Sequence, residues 1–438
     1  MTGIRLKPHP TCGWGRYPVV TSVVQRARWL DDLRLSLDRQ ATLAQGQLRS
    51  YGDAGLAPSV VSTLELNRIL HFEPDTGVLE IEAGITLDQI LRFVVPRGWF
   101  LPVTPGTKHP TIGGCVAADV HGKNHHVDGS LVSHVEALTL VTAEGDTIRC
   151  DRSDYADLFW SCFGGMGLTG FVYSVRMQLL AIASDQIGVV TRRTRDLEET
   201  CDILKSTQTQ HRYSVAWLDV LHRRRRGRGL VMLGAHTQGP SMKAHGARTI
   251  RFPAVGPRLF ARPVMQAGNA AYYRRQLRRL HHSKVHYDPY FYPLDGLRDW
   301  NRAYGRPGFL QYQFVVPFAG GLDCIRAFLD RICNTTTCTL AVLKTFGDGQ
   351  TGPLGFPQRG WTLALDFCQT PKSISTLQDA TSLITDAGGR LYLAKDAIMR
   401  AEHFADMYPR AGEFLAAKRR YDPGKRLRSA LSDRLGIT

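Results

Sequence analysis

The 438-residue chain contains no run of about 18 consecutive apolar residues with which to cross a bilayer. Its first residues, MTGIRLKPHPTCGWGRYP, hold no apolar core of a signal peptide. A cytoplasmic protein is therefore expected, free or held peripherally on the inner face of a membrane. Nine cysteines are scattered without a CxxC pair or a Cys/His box of zinc spacing. That excludes a zinc framework and predicts reduced, mostly buried thiols. No metal is expected at His121–His126 (HGKNHH) either, because no carboxylate falls within that run. No GxGxxG opens an N-terminal βαβ unit, which argues against a Rossmann nicotinamide or flavin domain, and the missing GxxxxGK[ST] argues against a P-loop NTPase.

Acidic residues are absent from one long stretch. Between His222 and Lys284 lie fifteen Lys and Arg, among them Arg223–Arg226, Arg228, Arg274, Arg275, Arg278 and Arg279, and no Asp or Glu. Almost all of the net charge of +16 sits there. The segment reads as a basic insertion over about 222–284. It would attract polyanions: anionic headgroups, polyprenyl phosphates or nucleic acid. No nucleic-acid-binding module accompanies it, so nucleic acid is not expected as a partner. A solvated loop whose charge serves solubility is the bland alternative.

The length favours two domains. Over the first 180 residues, short strands alternate with short helices. Val78–Ala83 alternates as a strand, Thr86–Gln89 is a capping box, and the helix after it stops at Pro96. Val135–Cys150 reads as a hairpin turning at Glu144-Gly145-Asp146, Asp154–Phe163 as a helix, and Phe171–Leu180 as a strand. The pattern restarts near 185. A helix near 195–207 is followed by strands near 213–221, 308–317, 340–346, 361–368 and 390–395, with helices near 321–334 and 372–387. This predicts a mainly antiparallel sheet covered by helices, followed by a helical tail over His403–Leu435.

The run Pro105–His126 packs Gly106, Gly113, Gly114 and Gly122 among His and Lys. Glycines allow backbone to approach a ligand, and the basic side chains add donors and charge. That is chemistry for gripping a diphosphate beside a reactive ring; a glycine loop with solvated histidines is the alternative.

With Arg49-Ser-Tyr-Gly-Asp53, Pro105-Gly-Thr107, Ile112-Gly-Gly114, His121–His126 and Gly164–Gly170 in this order, the chain resembles FAD-binding proteins of the vanillyl-alcohol-oxidase (PCMH) type. Within them it is similar to the decaprenylphosphoryl-β-D-ribose 2′-oxidases. The resemblance continues through Trp300–Gly305, Gly308–Phe314, Lys344–Gly347 and Gly389–Asp396. It implies an α+β, two-domain fold: an FAD-binding domain over 1–185 completed by the tail 397–438, and an antiparallel-sheet substrate domain over 186–396 capping the flavin. It places FAD against Arg49, Ser50, Tyr51, Gly52, Asp53, Pro105, Gly106, Thr107, Gly113, Gly114, Ala118, His121, Gly122, Asn124, Gly165, Gly170 and Tyr392. Arg49 stands where covalent relatives carry His, so the flavin is expected to be non-covalent.

The resemblance also implies substrate contacts from Lys123, Gln311, Gln313, Lys344, Trp217 and Thr362, and catalysis by Lys395, His121 and Gln313. Alternation on Phe309–Val315 puts Gln311 and Gln313 on one face, where sugar hydroxyls or the backbone would satisfy them. Lys395, implied to handle the reacting hydroxyl as base or as hydrogen-bond donor to the developing oxyanion, follows Leu391 and Leu393 on a predicted strand face, where burial would lower its pKa toward that of a base; a snorkelling lysine is the alternative. The implied reaction is oxidation of a secondary sugar hydroxyl on a polyprenyl phosphate. An NAD(P)H-dependent short-chain reductase would be the pathway partner, and a quinone is open as electron acceptor. A soluble polyol or aldonolactone oxidase using O₂, or a flavin-binding scaffold without catalysis, are the competing readings. Two departures stand out: Thr362 and Ala364 replace the Asn-x-Cys of the mycobacterial type, and Leu48 replaces a Gly in the first loop.

Overall fold

The computed structural model describes residues 7–437 except 223, 247–248 and 254–255; Arg223 of the arginine run thus lies outside the described residues. Strands β1 (His9–Cys12), β2 (Val19–Arg26), β3 (Leu43–Gln45) and β4 (Ser59–Ser62) form a sheet in the order β1-β2-β4-β3. Strands β5 (Ile69–Phe72), β6 (Val78–Glu82), β7 (Val135–Val141), β8 (Thr147–Asp151) and β9 (Phe171–Gln178) form an antiparallel sheet in the order β5-β6-β9-β7-β8. The hairpin at Glu144–Asp146 forms as the turn chemistry predicts. Thr86 caps helix α1 (Leu87–Val94) in a full capping box with Gln89. The chain then tightens into a 3-10 turn through Pro96 and ends at Gly98, φ +82°, a left-handed position that suits glycine.

The third sheet begins at Gln186. Its eight strands are β10 (Gln186–Thr194), β11 (Tyr213–Asp219), β12 (Arg228–His236), β13 (Leu280–His286), β14 (Phe309–Val316), β15 (Cys338–Phe346), β16 (Gly360–Cys368) and β17 (Arg390–Leu391). They lie in the order β13-β10-β12-β11-β15-β16-β14-β17, each pair antiparallel. Period-two alternation divides the sheet. Leu310, Tyr312, Phe314, Leu363, Leu365 and Phe367 bury one face under helices α6 (Phe318–Thr335) and α7 (Pro371–Asp386). The Tyr312 ring stacks on Phe328 at 5.5 Å, and its hydroxyl is 2.8 Å from Thr381 Oγ1. The opposite face carries the polar side chains of the site.

Two sequence expectations need correction. The basic stretch is not an insertion: it supplies β12, helix α4 (Arg262–Arg275) and β13 to the sheet region. Leu230, Val231 and Leu233 are buried strand residues whose signal the flanking arginines obscure. The strand expected over 390–395 is two residues long. It gives way to a turn closed by the Lys395 N–H donating to the Tyr392 carbonyl at 2.9 Å.

The tail packs back on the first sheets through helices α8 (Ala401–Met407), α9 (Ala411–Tyr421) and α10 (Ala430–Leu435). Ala430 N–H donates to Leu56 O at 2.7 Å, Arg428 N–H to Thr42 O at 3.0 Å, and the buried Lys418 ammonium to Leu168 O and Asp422. Seven of the nine cysteines are buried and all nine are free thiols. No helix among the described residues is long and apolar enough to cross a membrane.

Candidate active site

Strand register assembles the site on the polar face of the sheet. Trp217, Val342, Ala364 and Gln313 form one row across β11, β15, β16 and β14. Lys344 and Thr362 pair in the next row, and Asp366 opposes Gln311 in the row on the other side. Gln311 and Gln313 thus share a face, as alternation requires, and both are held by side chains. Gln311 Nε2 donates to Asp366 Oδ1 at 2.7 Å. Gln313 Nε2 lies 3.0 Å from His121 Nε2 and 3.2 Å from Thr362 Oγ1.

The His121–His126 loop closes over this face. The His121 ring packs against Phe346, Tyr392 and Phe356 at 4.8, 5.1 and 5.5 Å. Burial, with Lys344, His125 and Lys395 nearby, holds its pKa far below the ordinary imidazole value. His121 is therefore neutral. Lys344 Nζ lies 3.5 Å from Gly122 O, and burial brings its pKa down to about 8. Lys123 is lowered to about 7 by burial and by Lys344. Its ammonium donates to the Tyr290 carbonyl and sits 4.3 Å from that ring's centroid, so it is tied to helix α5 (Tyr287–Phe291).

Lys395 completes the wall from the turn after β17. Its ammonium is 3.6 Å from the Tyr51 ring centroid. Desolvation lowers its pKa to about 7; Asp366 opposes that shift and Lys344 adds to it. Burial pushes Asp366 up to about 7, with Gln311 and Lys395 pulling the other way. An amine and a carboxyl thus share one buried environment near the midpoint of both titrations. Asp366 is not among the residues the sequence singles out. The signal was present in the alternation Thr362, Ala364, Asp366 along one strand face.

The cofactor side shows which candidate residues are open to a ligand. A Cβ on Gly106 would meet nothing within 4 Å, and one on Gly114 only Thr111 Oγ1 at 3.2 Å. No backbone carbonyl among the described residues accepts from the N–H of Ser50, Gly52, Gly106 or Thr107. Buried Arg49 Nε, His121 Nδ1 and both nitrogens of His125 also lack a protein partner. Unengaged amides beside open glycines form an anion cradle, and orphaned imidazole nitrogens next to it suit a polar ring system. The residues therefore fit FAD. The Arg49 guanidinium lies 4.1 Å from the Trp14 ring centroid.

Other candidates have structural work. Both Asp53 oxygens accept from Arg434 at 2.8 Å, and Arg434 also donates to Asp396 at 2.9 Å. Asp53 is therefore a tie between the first loop and α10. Gly113 N–H donates to Ala83 O, and the Asn124 amide donates to Pro102 O and Asp128. Cβ atoms at Gly165, Gly170 and Gly122 would strike Ser161 O, Leu140 and Asn124 Oδ1 at 2.1, 2.3 and 2.4 Å, so these glycines serve close packing. The Tyr392 hydroxyl donates to Ala118 O at 2.9 Å, with the Tyr392 ring beside His121. Leu48 adopts φ +51°, a left-handed conformation that ordinarily favours glycine.

A family model described as an FAD binding domain matches residues 36–151. The chain is 32% identical to the decaprenylphosphoryl-β-D-ribose oxidase of Mycolicibacterium smegmatis, over 97% of both chains. The chain belongs to this oxidase family. It is an FAD-dependent oxidoreductase with the PCMH-type α+β fold. Similarity to the human Δ(24)-sterol reductase, 26% identical, covers 32% of this chain and 27% of that protein. Similarity to mouse L-gulonolactone oxidase, 29% identical, covers 26% of each.

Proposed function

We propose that this oxidoreductase converts the 2′-hydroxyl of a polyprenylphosphoryl-β-D-ribose to the ketone, on the route to an arabinofuranose donor. The observation that carries the reading is the convergence of Lys395, Tyr51, Gln311 and Asp366 with the His121–Gln313 pair on one sheet face, in a chain similar end to end to the mycobacterial oxidase. FAD, when bound, supplies the hydride acceptor. Ser50, Gly52, Gly106 and Thr107 would hold its diphosphate, with Arg49 beside it and no covalent link.

The chain's own residues bind, orient and move a proton. Near neutral pH a substantial fraction of Lys395 is the free amine, able to take the proton of the reacting hydroxyl. Gln311 and Gln313 present amides to the sugar from fixed positions, because Asp366, Thr362 and His121 hold their rotamers. Lys344 sets positive charge beside them for the substrate phosphate. Phe346, Phe356 and Tyr392 around His121 exclude water. The L-gulonolactone oxidase similarity spans only 26% of the chain, which disfavours a lactone substrate.

Further parts of the reading concern partners. The ketone requires a hydride donor to complete inversion, which fits an NAD(P)H-dependent short-chain reductase acting on the released product. A quinone suits an enzyme whose substrate is lipid-borne, and peripheral membrane association follows from the same lipid. The test is product analysis: turnover of polyprenylphosphoryl ribose with an artificial electron acceptor should yield a lipid lacking two hydrogens, both lost from the ribose. Recovery of unchanged lipid overturns the assignment.

A further inference from the structure

Helix α4 is fastened to the protein mainly by side-chain hydrogen bonds, with Met265 partly buried against the core. Arg262 donates to Cys333 O at 2.6 Å, Gln266 to Leu221 O at 3.1 Å, Asn269 to Asp219 Oδ1 at 3.0 Å, and the Tyr273 hydroxyl to Thr194 O at 2.8 Å. Pro263, Val264, Ala267, Gly268 and Ala271 form an exposed face, and no residue of the helix is fully buried. A surface helix ordinarily turns its apolar stripe to the core. Here a second apolar strip is left exposed, with Val264 at 48% exposure and Tyr272, whose ring rests on Trp217, still at 40%.

The helix ends in Arg274 and Arg275, followed by Leu277 at 83% exposure, Arg278, Arg279 and Leu280. Arg279 is engaged by Glu199, while no ion pair is formed by Arg274, Arg275 or Arg278 among the described residues. Single protruding leucines between arginines, in a stretch without a carboxylate, match an anionic lipid surface. The side chains reach into the acyl boundary while the guanidinium groups meet phosphates. A protein groove for the same helix would need carboxylates to pair these arginines.

The helix also touches the site. Tyr272 packs edge-on against Trp217 at 4.7 Å, and Trp217 heads the row that ends at Gln313.

We propose that α4 and the Gln276–Leu280 segment dock on an anionic phospholipid surface, with Leu277 inserted and Arg274, Arg275 and Arg278 on lipid phosphates. Docking brings the Trp217 end of the substrate row against the bilayer, so that a polyprenyl tail stays in lipid while its sugar reaches Gln313 and Lys395. This last consequence rests on the polyprenylphosphoryl-sugar reading; the docking itself does not.

The test is co-sedimentation of the full-length, FAD-loaded protein with vesicles of phosphatidylcholine alone and of phosphatidylcholine with phosphatidylglycerol. The protein should pellet with the anionic vesicles only, and release with added salt. R274Q/R275Q/R278Q should weaken binding on the order of 100-fold, and L277S by about tenfold. R26Q/R39Q/R419Q, which removes equal charge elsewhere, should leave it unchanged. Equal binding by all three variants, or none by the wild type, overturns docking. So does loss, in the α4 variants, of a reductase complex with vesicle binding intact. Vesicle binding by a protein whose flavin no polyprenylphosphoryl sugar reduces leaves docking standing and removes the substrate reading.

Discussion

Gln313 Nε2 and His121 Nε2 meet at 3.0 Å across the junction of the two sheet systems, in a site where His121 is neutral. With the glutamine amide donating, the imidazole proton sits on Nδ1, the nitrogen that no protein group satisfies. One side chain on β14 thus fixes the tautomer of His121.

Replacing Gln313 by Leu removes that donor and the bond to Thr362 together. The rate of anaerobic flavin reduction should fall on the order of 100-fold, as when one oriented donor is lost from a reacting centre. FAD content should be unchanged. Loss of FAD in parallel with activity would mean that Gln313 supports the cofactor and not the reaction.

Lys395 and Asp366 set the pH dependence. With Lys395 as the proposed base, the reduction rate should rise with pH through about 7 and plateau above. Lys395→Met should cost about 10²- to 10⁴-fold and remove this limb. Asp366 raises the lysine pKa, so Asp366→Asn should move the limb to lower pH. Stability gives a second readout with its own sign. The folded Asp366 pKa, about 7, lies above its ordinary value of 3.8, so ionising it penalises folding increasingly as pH rises between those values. Asp366→Asn should therefore raise the melting temperature more at pH 8 than at pH 5.

Arg434 joins Asp53 of the first loop to Asp396, next to Lys395. Arg434→Ala leaves two buried carboxylates unpaired and should cost about 3 kcal/mol in unfolding free energy. Arg434→Lys should not restore it, because an ammonium cannot reproduce the two-pronged contact. Denaturant titration of the loaded protein checks both.

Arg49 at the first loop, stacked on Trp14, leaves the flavin without a covalent attachment point there. Acid precipitation should release all yellow colour to the supernatant as FAD. Flavin fixed in the pellet would contradict the non-covalent assignment.

Local rules made much of this legible in sequence. Alternation put Gln311 and Gln313 on one face, and Thr86–Gln89 announced the α1 cap. What escaped has physical reasons. Strands β12 and β13 lie within an arginine-rich stretch whose charge dominates any hydropathy window. Alternation of Leu391 and Leu393 predicts a strand through Lys395, whereas the Lys395–Tyr392 hydrogen bond turns the chain. Asp366 and Arg434 depend on partners 55 and 381 residues away in sequence, beyond any local pattern.

The most direct measurement is the visible spectrum of the bound flavin on anaerobic mixing with polyprenylphosphoryl-β-D-ribose. The account predicts loss of the oxidised flavin absorbance with this substrate, and no change with free ribose, polyols or aldonolactones. An unchanged spectrum with the lipid-linked ribose, or bleaching by a free sugar or lactone instead, would contradict it.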